Sequence, residues 1–351
     1  MLFSISLESL TPRPLFYPLS PSIHKTYIMA KSEKKKNGQL IRVGVVGVGY
    51  LGQHHVRNYA EMPGVRLEGV ADVDPGRAQE IAGRHGVRVF RGYREMIPDV
   101  DAVSIVSPTV THFEIAKDFL EQGVDVLVEK PMTETLAQAG ELIRIADQNQ
   151  RILQVGHIER FNGAVRELER LVKNPGFIEV HRLSSFTGRA TDVDVILDLM
   201  IHDIDIILSL VHSPVREIRA KGVPVITSNV DIANARLEFE NGCVANVTAS
   251  RVSTHPQRKM RFFQPDAYIS IDFQEQKVAC YRRIGDPKAF LDGHPPRIVE
   301  EKISIGREEP LKVELTAFVE AVRTRAAPVV SGREGMKALE VATSILREIG
   351  A

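Results

Sequence analysis

Cysteine is scarce in this chain of 351 residues. Only Cys243 and Cys280 occur, far apart and outside any Cys or His spacing that would hold a metal ion. This excludes a disulfide framework and a structural zinc cluster, and we predict no metal site. A reducing cytoplasm is the compartment that fits best.

Net charge and long apolar runs are also lacking. The 45 Lys and Arg residues balance 45 Asp and Glu residues, so no overall field draws the protein to nucleic acid or to an anionic membrane. No uninterrupted apolar run reaches the ~20 residues of a membrane helix. The composition therefore favours a small-molecule partner, with no nucleic acid and no membrane.

The opening segment lacks the ordered parts of a signal peptide, which are a charged start, an apolar middle and a small-residue cleavage site. Prolines interrupt it instead, and we predict a disordered extension over 1–38. With 43% apolar residues, the chain is long enough to bury two cores. We predict domains over 39–155 and 156–351.

The first predicted domain alternates short apolar runs, a glycine turn and amphipathic segments. That order is typical of βαβ units, so the sequence predicts an α/β Rossmann domain with a doubly wound parallel sheet. The predicted strands cover 41–46, 67–71, 87–90, 102–106, 125–129 and 152–155. The predicted helices cover 52–62, 75–85, 111–122 and 135–149.

After Gly156 the apolar pattern changes to the alternation of strands in a sheet that is covered on one face. We predict a C-terminal α+β domain with a mostly antiparallel, open sheet. Asn241-Gly242 favours a tight hairpin between two of its strands. The predicted strands cover 177–186, 215–222, 232–239, 244–252 and 267–273, and the helices 195–211, 311–325 and 333–349.

A glycine turn, Gly47-Val48-Gly49-Tyr50-Leu51-Gly52, follows the first predicted strand. Its glycines allow the turn, the approach of a pyrophosphate and close packing of the next helix, whose N–H groups attract phosphate. Asp72, twenty residues after Gly52, ends the second strand and can accept hydrogen bonds from ribose hydroxyls. The pattern predicts NAD, and Arg77 keeps NADP open as an alternative because it can offset the charge of Asp72.

Two further patterns indicate chemistry. Lys130 stands at the carboxyl end of a predicted parallel strand, where open α/β sheets bind ligands, and Pro131 restricts its backbone and allows a cis bond. Asp198 and His202 lie one helical turn apart, so the carboxylate can accept the imidazole N–H and stabilise the imidazolium. An alcohol dehydrogenase needs such a base.

At these residues the chain resembles the glucose-fructose oxidoreductase, inositol dehydrogenase and MocA family. The resemblance runs from about residue 41 to the end. The motifs that carry it are the glycine turn, Ser107-Pro108-Thr109 with His112, Glu129-Lys130-Pro131, Gly156-His157-Ile158-Glu159-Arg160-Phe161-Asn162, and Leu197-Asp198-Leu199-Met200-Ile201-His202-Asp203-Ile204-Asp205. The last motif looks most like the branch that oxidises UDP-linked N-acetyl sugars at C3, although 192–197 departs from the glycine-rich approach common in the family.

The resemblance implies that Lys130 and His202 are catalytic and that Asp198 supports His202. It also implies a set of cofactor-binding residues, which are Gly47, Gly49, Tyr50, Leu51, Gly52, Asp72, Ser107, Pro108, His112 and Glu129. His202 would take the proton of the substrate hydroxyl while Lys130 stabilises the negative oxygen, or the two roles would be reversed. The expected substrate is a sugar or nucleotide sugar, the 3-hydroxyl of a UDP-N-acetylhexosamine above all.

Other assignments stay open. Arg160, Asn162 and Arg251 are candidates for substrate binding, but Arg160 and Asn162 fit a structural role between the domains equally well. Lys259 and Arg261 would join Arg251 around the cleft, unless these cations form a charged exposed sheet face. The alternatives for function are a free-sugar or inositol dehydrogenase and a non-catalytic NAD-binding regulator. The open sheet also predicts a homodimer or homotetramer.

Overall fold

The computed structural model describes residues 40–188, 193–285, 296–306 and 308–350. The extension that we predict over 1–38 lies outside the described residues. Two sheets, one parallel and one mostly antiparallel, organise the described part of the chain. This agrees with the fold class that the sequence predicts.

The first sheet has six parallel strands in the order β3-β2-β1-β4-β5-β6, the doubly wound order of dinucleotide-binding domains. Its strands are β1 Ile41–Val46, β2 Val65–Ala71, β3 Arg88–Val89, β4 Ala102–Ile105, β5 Asp125–Glu129 and β6 Leu153–Gly156. Four of them are buried apolar runs, as expected for a sheet covered on both faces. The carboxyl ends of β1, β4 and β5 meet at one edge, the edge at which doubly wound sheets bind their ligands.

The helices of this part cover both faces of the sheet. They are α1 Gly52–Glu61, α2 Pro75–His85, α3 Tyr93–Met96, α4 Thr109–Glu121 and α5 Leu136–Asn149. Local chemistry sets their starts: Asp74 caps α2 ahead of Pro75, and Thr135 forms a capping box with Gln138 at α5.

The second sheet has eight strands in the order β14-β13-β12-β11-β7-β10-β9-β8. They are β7 Phe177–Leu183, β8 Val215–Val223, β9 Ile232–Phe239, β10 Val244–Ser250, β11 Gln257–Gln264, β12 Ala267–Asp272, β13 Lys277–Ile284 and β14 Arg297–Glu301. All neighbours are antiparallel except β7 and β10. The predicted hairpin at Asn241-Gly242 is confirmed, because β9 and β10 pair and Gly242 has a φ of +85°.

Three strands and two helices escape the sequence prediction. They are β11, β13, β14, the four-residue α3 and α6 Gly163–Leu171. The strands β11 and β13 begin or end with Arg and Lys residues that hide the apolar alternation, and β14 is largely exposed. Asn162 caps α6, a signal that the sequence does contain.

The predicted helix over 195–211 is in fact two kinds of helix. Residues Ile196–Met200 form a π-helical turn, and α7 follows over Ile201–Val211. Such turns occur often at functional sites. No helix in the described ranges is long and apolar enough to cross a membrane.

The last two helices are α8 Pro310–Thr324 and α9 Gly332–Ile349. Apolar residues of α8, among them Leu315 and Phe318, share a core with β1 of the first sheet. Helix α9 contacts α5 and β6 on one side and α7 and β8 on the other. The end of the chain therefore joins both sheets.

Candidate active site

The glycine turn after β1 is built for close backbone approach. Gly47 has a φ of +85°, and a Cβ there would lie 2.7 Å from the backbone of Val106. A Cβ on Gly52 would lie 1.9 Å from the carbonyl oxygen of Gly47. Gly49 is open instead, since the nearest atom to a Cβ would be a guanidinium nitrogen of Arg77 at 3.9 Å. These features fit a dinucleotide whose pyrophosphate lies against the turn and the start of α1.

Asp72 ties this turn to the end of β2. Its Oδ2 accepts a hydrogen bond from the Val48 N–H at 2.8 Å, and its Oδ1 accepts one from the Asp74 N–H at 2.8 Å. Arg77 lies 3.8 Å from the same carboxylate. Each oxygen keeps acceptor capacity for a ribose hydroxyl. Tyr50 stands exposed on the turn.

The loops after β4 and β5 are held together by a histidine. The buried ring of His112 places Nε2 2.8 Å from the carbonyl oxygen of Ser107 and Nδ1 2.9 Å from that of Pro131. Pro108 directly precedes α4, and the hydroxyl groups of Ser107 and Thr111 form a hydrogen bond at 2.7 Å. His112 therefore links the loop after β4 to the loop after β5.

Lys130 follows β5 directly, and its peptide bond to Pro131 is cis, the alternative that the sequence allowed. Its Nζ donates a hydrogen bond to the backbone carbonyl of Asp198 at 2.7 Å and lies 3.6 Å from the carboxylate Oδ1 of that residue. Burial lowers the pKa of Lys130, and the charges of Asp198 and Glu129 oppose that shift. The π-helical turn thus anchors the ammonium at the carboxyl edge of the first sheet.

His202 lies in the first turn of α7. Burial lowers its pKa well below the usual value, and the charges of Lys130 and Arg182 add to the effect. The imidazole is therefore neutral at pH 7 and can accept a proton. Its Nδ1 is buried and has no hydrogen-bond partner in the described part of the chain.

The expected hydrogen bond from His202 to Asp198 is therefore not seen among the described residues. The carboxylate of Asp198 lies against Lys130 instead, and the π-helical turn changes the one-turn spacing on which the expectation rested. Asp198 consequently positions the lysine, chiefly through its backbone oxygen.

Several buried polar groups lie near Lys130 and His202. The ring of His157 is perpendicular to that of His202, with centroids 6.4 Å apart, and burial lowers the pKa of His157. Glu314 of α8 is fully buried, and its pKa is raised well above the usual value by burial and by the charges of Glu129 and Asp205. Glu129 also lies 3.4 Å from Nε2 of the buried His55.

The three candidate substrate residues all have partners within the protein. Arg160 lies 3.5 Å from Asp205 and 3.6 Å from Glu334 of α9, Asn162 caps α6, and the buried Arg251 donates to the carbonyl of Val193. Their contacts are those of structural residues that join or begin elements. Arg251 is buried and so does not belong to an exposed sheet face, and its part in substrate binding stays a prediction.

Lys259 and Arg261 lie on the outer face of β11, where they pair with Asp272 at 3.5 Å and Glu179 at 2.6 Å. The expectation that they line the cleft is wrong. Arg258, which the sequence did not single out, points to the opposite face of the strand, because side chains alternate between the two faces. It shares its face of β11 with the buried Met260 and Phe262.

A separate cavity of about 880 Å³ lies at the amino ends of the parallel strands. Charged residues of its lining pair with one another, among them Arg42 with Asp101 and Arg325 with Asp125. Open α/β sheets bind ligands at the carboxyl edge. The candidate site therefore lies at the opposite edge, between the glycine turn, Lys130 and His202.

Comparisons with known proteins identify relatives of both parts of the chain. A family model described as an oxidoreductase family with an NAD-binding Rossmann fold matches residues 41–157, and one for the GFO/IDH/MocA C-terminal domain matches residues 159–270. The UDP-N-acetylglucosamine 3-dehydrogenase of Acidithiobacillus ferrooxidans is 36% identical over 306 residues, which cover 87% of this chain and 96% of that protein. The myo-inositol 2-dehydrogenase of Thermotoga maritima is 27% identical and covers 85% of this chain and 93% of its own.

Solved structures show the same fold. That of the Acidithiobacillus ferrooxidans enzyme matches with a TM-score of 0.82 at 35% identity, covering 88% of this chain and 98% of its own. The scyllo-inositol dehydrogenase of Lactobacillus casei, solved with bound NAD(H) and scyllo-inositol, matches with a TM-score of 0.74 at 20% identity, covering 89% and 97%. The chain therefore belongs to the GFO/IDH/MocA family of oxidoreductases, whose first domain is an NAD-binding Rossmann fold.

Proposed function

We propose that this protein oxidises the 3-hydroxyl of a UDP-N-acetylhexosamine to a ketone, with NAD as cofactor and with Lys130 and His202 at the reacting hydroxyl. The observation that carries the proposal is a largely buried, anchored ammonium near a neutral imidazole at the carboxyl edge of the first sheet. The match to a UDP-N-acetylglucosamine 3-dehydrogenase supports the substrate class.

The glycine turn and Asp72 would hold the dinucleotide. Gly49 leaves the turn open to a pyrophosphate, and the buried carboxylate of Asp72 has acceptor capacity for the ribose hydroxyls. When bound, NAD supplies the acceptor for the hydride that leaves the carbinol carbon. Ser107 and Pro108 follow β4, His112 lies in the first turn of α4, and Glu129 ends β5; all four are proposed to shape the cofactor site.

Lys130 and His202 would have different roles at the substrate oxygen. The hydroxyl loses its proton to the imidazole, which is neutral at pH 7 because burial lowers its pKa. Lys130 donates one N–H to the carbonyl of Asp198, and its two other N–H groups can stabilise the substrate oxygen as negative charge develops there. Asp198 would act as the residue that positions Lys130.

The test follows NADH formation at 340 nm with UDP-N-acetylglucosamine, glucose and myo-inositol as substrates. We expect turnover of the UDP-sugar and very poor turnover of both free compounds. Turnover of a free polyol without the UDP-sugar would make the protein a polyol dehydrogenase. Absence of turnover with all three, together with tight NAD binding, would favour a regulator.

We also propose that the protein is a homo-oligomer whose second sheet forms the interface. Phe177, Phe263, Tyr268 and Tyr281 form a ladder across four neighbouring strands, with successive ring centroids 5.5, 5.1 and 6.0 Å apart. Phe263 and Tyr281 are 39% and 37% exposed, and exposed apolar patches of this kind mark protein interfaces. Light scattering of wild type and Phe263→Lys tests this, and a wild-type monomer would contradict it.

A further inference from the structure

One cation of the second sheet lies on the face that carries the site. Arg258 is the second residue of β11, and the strand register sets it opposite Arg182 of β7. Arg182 leaves this same face and bonds Asp203 of α7 at 2.7 and 2.8 Å. Asp203 is the residue next to His202. Arg258 therefore extends from the strand on the side of α7, at the end of the strand nearest the site.

Its surroundings differ from those of the neighbouring cations. Arg182 is buried between Asp203 and Glu159, whereas Arg258 is exposed. Within the described ranges, the guanidinium of Arg258 forms no ion pair and no hydrogen bond. The adjacent Lys259 and Arg261 both have carboxylate partners on the outer face. Arg258 thus presents an uncompensated charge with all five donors available.

The field of this charge reaches the proposed base. Burial is the main cause of the lowered pKa of His202, and Arg258 is one of four neighbouring positive or protonatable groups that add to it, with Lys130, Arg182 and His157. Arg258 also opposes the rise that burial causes in the pKa of Asp203. A group bound by Arg258 would consequently lie close to a sugar ring whose hydroxyl meets His202.

We infer that Arg258 binds the phosphate groups of a nucleotide-sugar substrate and is the residue that selects such substrates over free sugars. The inference rests on the proposed function. Guanidinium groups match phosphate in bidentate geometry, and free sugars carry no group that would use this charge. Binding energy gained at the diphosphate, which does not react, would also orient the sugar over the site.

The experiment compares Arg258→Gln with Lys259→Gln. Both changes remove one positive charge from β11, but from opposite faces of the sheet. Titration calorimetry measures the binding of UDP to each protein saturated with NADH, and steady-state assays give kcat and KM for UDP-N-acetylglucosamine. We expect Arg258→Gln to raise the Kd for UDP and the KM for the sugar about 10- to 100-fold. Lys259→Gln should stay within about twofold of wild type, and NADH should bind all three proteins equally.

Arg258→Lys separates charge from geometry and should recover only part of the loss, because an ammonium cannot form the bidentate contact. Unchanged UDP binding in Arg258→Gln, with wild type turning over the UDP-sugar, would overturn the inference and leave the proposed function intact. An equal loss in Lys259→Gln would also overturn it, since the effect would then be overall charge. A wild type that neither binds UDP nor oxidises the UDP-sugar would overturn both.

Discussion

Replacing Lys130 with Met tests the proposed chemistry most directly. The change keeps an apolar stem of similar length in a pocket that leaves the lysine side chain only 17% exposed, and it removes the ammonium that Asp198 anchors. At a distance of about 3 Å and an effective dielectric constant of about 20, the ammonium and a full oxyanion attract each other by roughly 5 kcal/mol. Measured losses of one preorganised donor are about 2.7–4 kcal/mol, so we expect kcat to fall about 100- to 1,000-fold.

The same change should move the pH dependence in a defined direction. The positive charge of Lys130 is, after burial, the largest cause that lowers the pKa of His202. Removing it raises that pKa, so the imidazole stays protonated to higher pH. The acidic limb of the remaining activity should therefore shift to higher pH, while a limb due to the lysine itself would disappear.

The assay measures NADH formation from pH 5 to 10 with saturating substrate, and fluorescence titration measures the binding of NAD. Asp198→Asn is the matched control, because its backbone oxygen still accepts the hydrogen bond of Lys130 and only the carboxylate at 3.6 Å loses its charge. We expect it to cost about tenfold or less in kcat. Near-normal kcat in Lys130→Met with unchanged NAD binding would refute the assigned role.

Three further changes test other parts of the structure. Glu314→Gln should melt like wild type near pH 4 and at a higher temperature than wild type at pH 9. The pKa of Glu314 is raised in the folded protein, so its contribution to stability is complete below the unfolded pKa and is lost as pH rises through the folded one. Parallel melting curves across pH would contradict this, and Glu320→Gln, an exposed change on the same helix, is the control. Asp72→Ser should reduce the preference for NAD over NADP about tenfold in paired Kd measurements, because a carboxylate repels the extra phosphate. An unchanged ratio would show that another group sets the preference. Gly52→Ala should weaken NAD binding at least about tenfold, because its Cβ would lie 1.9 Å from a carbonyl oxygen of the turn, whereas Gly83→Ala, with open space around it, should leave NAD binding unchanged.

Much of the first sheet could be predicted because its signals are local. Apolar strands alternate with helices whose caps stand in the sequence, and predicted and observed bounds differ by only one or two residues for most elements. The glycine turn, Asp72 and Lys130 followed from the position of each at a strand end. These features depend on neighbours in the chain, which a sequence displays.

The rest depends on tertiary contacts. Because β11 was not predicted as a strand, it could not be seen that Arg258 lies on one face and Lys259 and Arg261 on the other. Met260 and Phe262, apolar residues at alternate positions, do indicate a strand. The π-helical turn at Ile196–Met200 has no sequence signature that distinguishes it from an α-helix. The burial of Glu314 likewise depends on α8 returning to the first sheet after more than a hundred intervening residues.

That return of α8 has a consequence for how the protein is made. Leu315, Phe318 and Val319 fill the same core as Val43 and Val45, yet the ribosome adds them long after these two strand residues. Until α8 emerges, the nascent first domain exposes an apolar surface beside β1 and cannot complete its core. A ribosome stalled before residue 310 would therefore carry an incomplete Rossmann domain that chaperones can bind, and synthesis of α8 would end that binding.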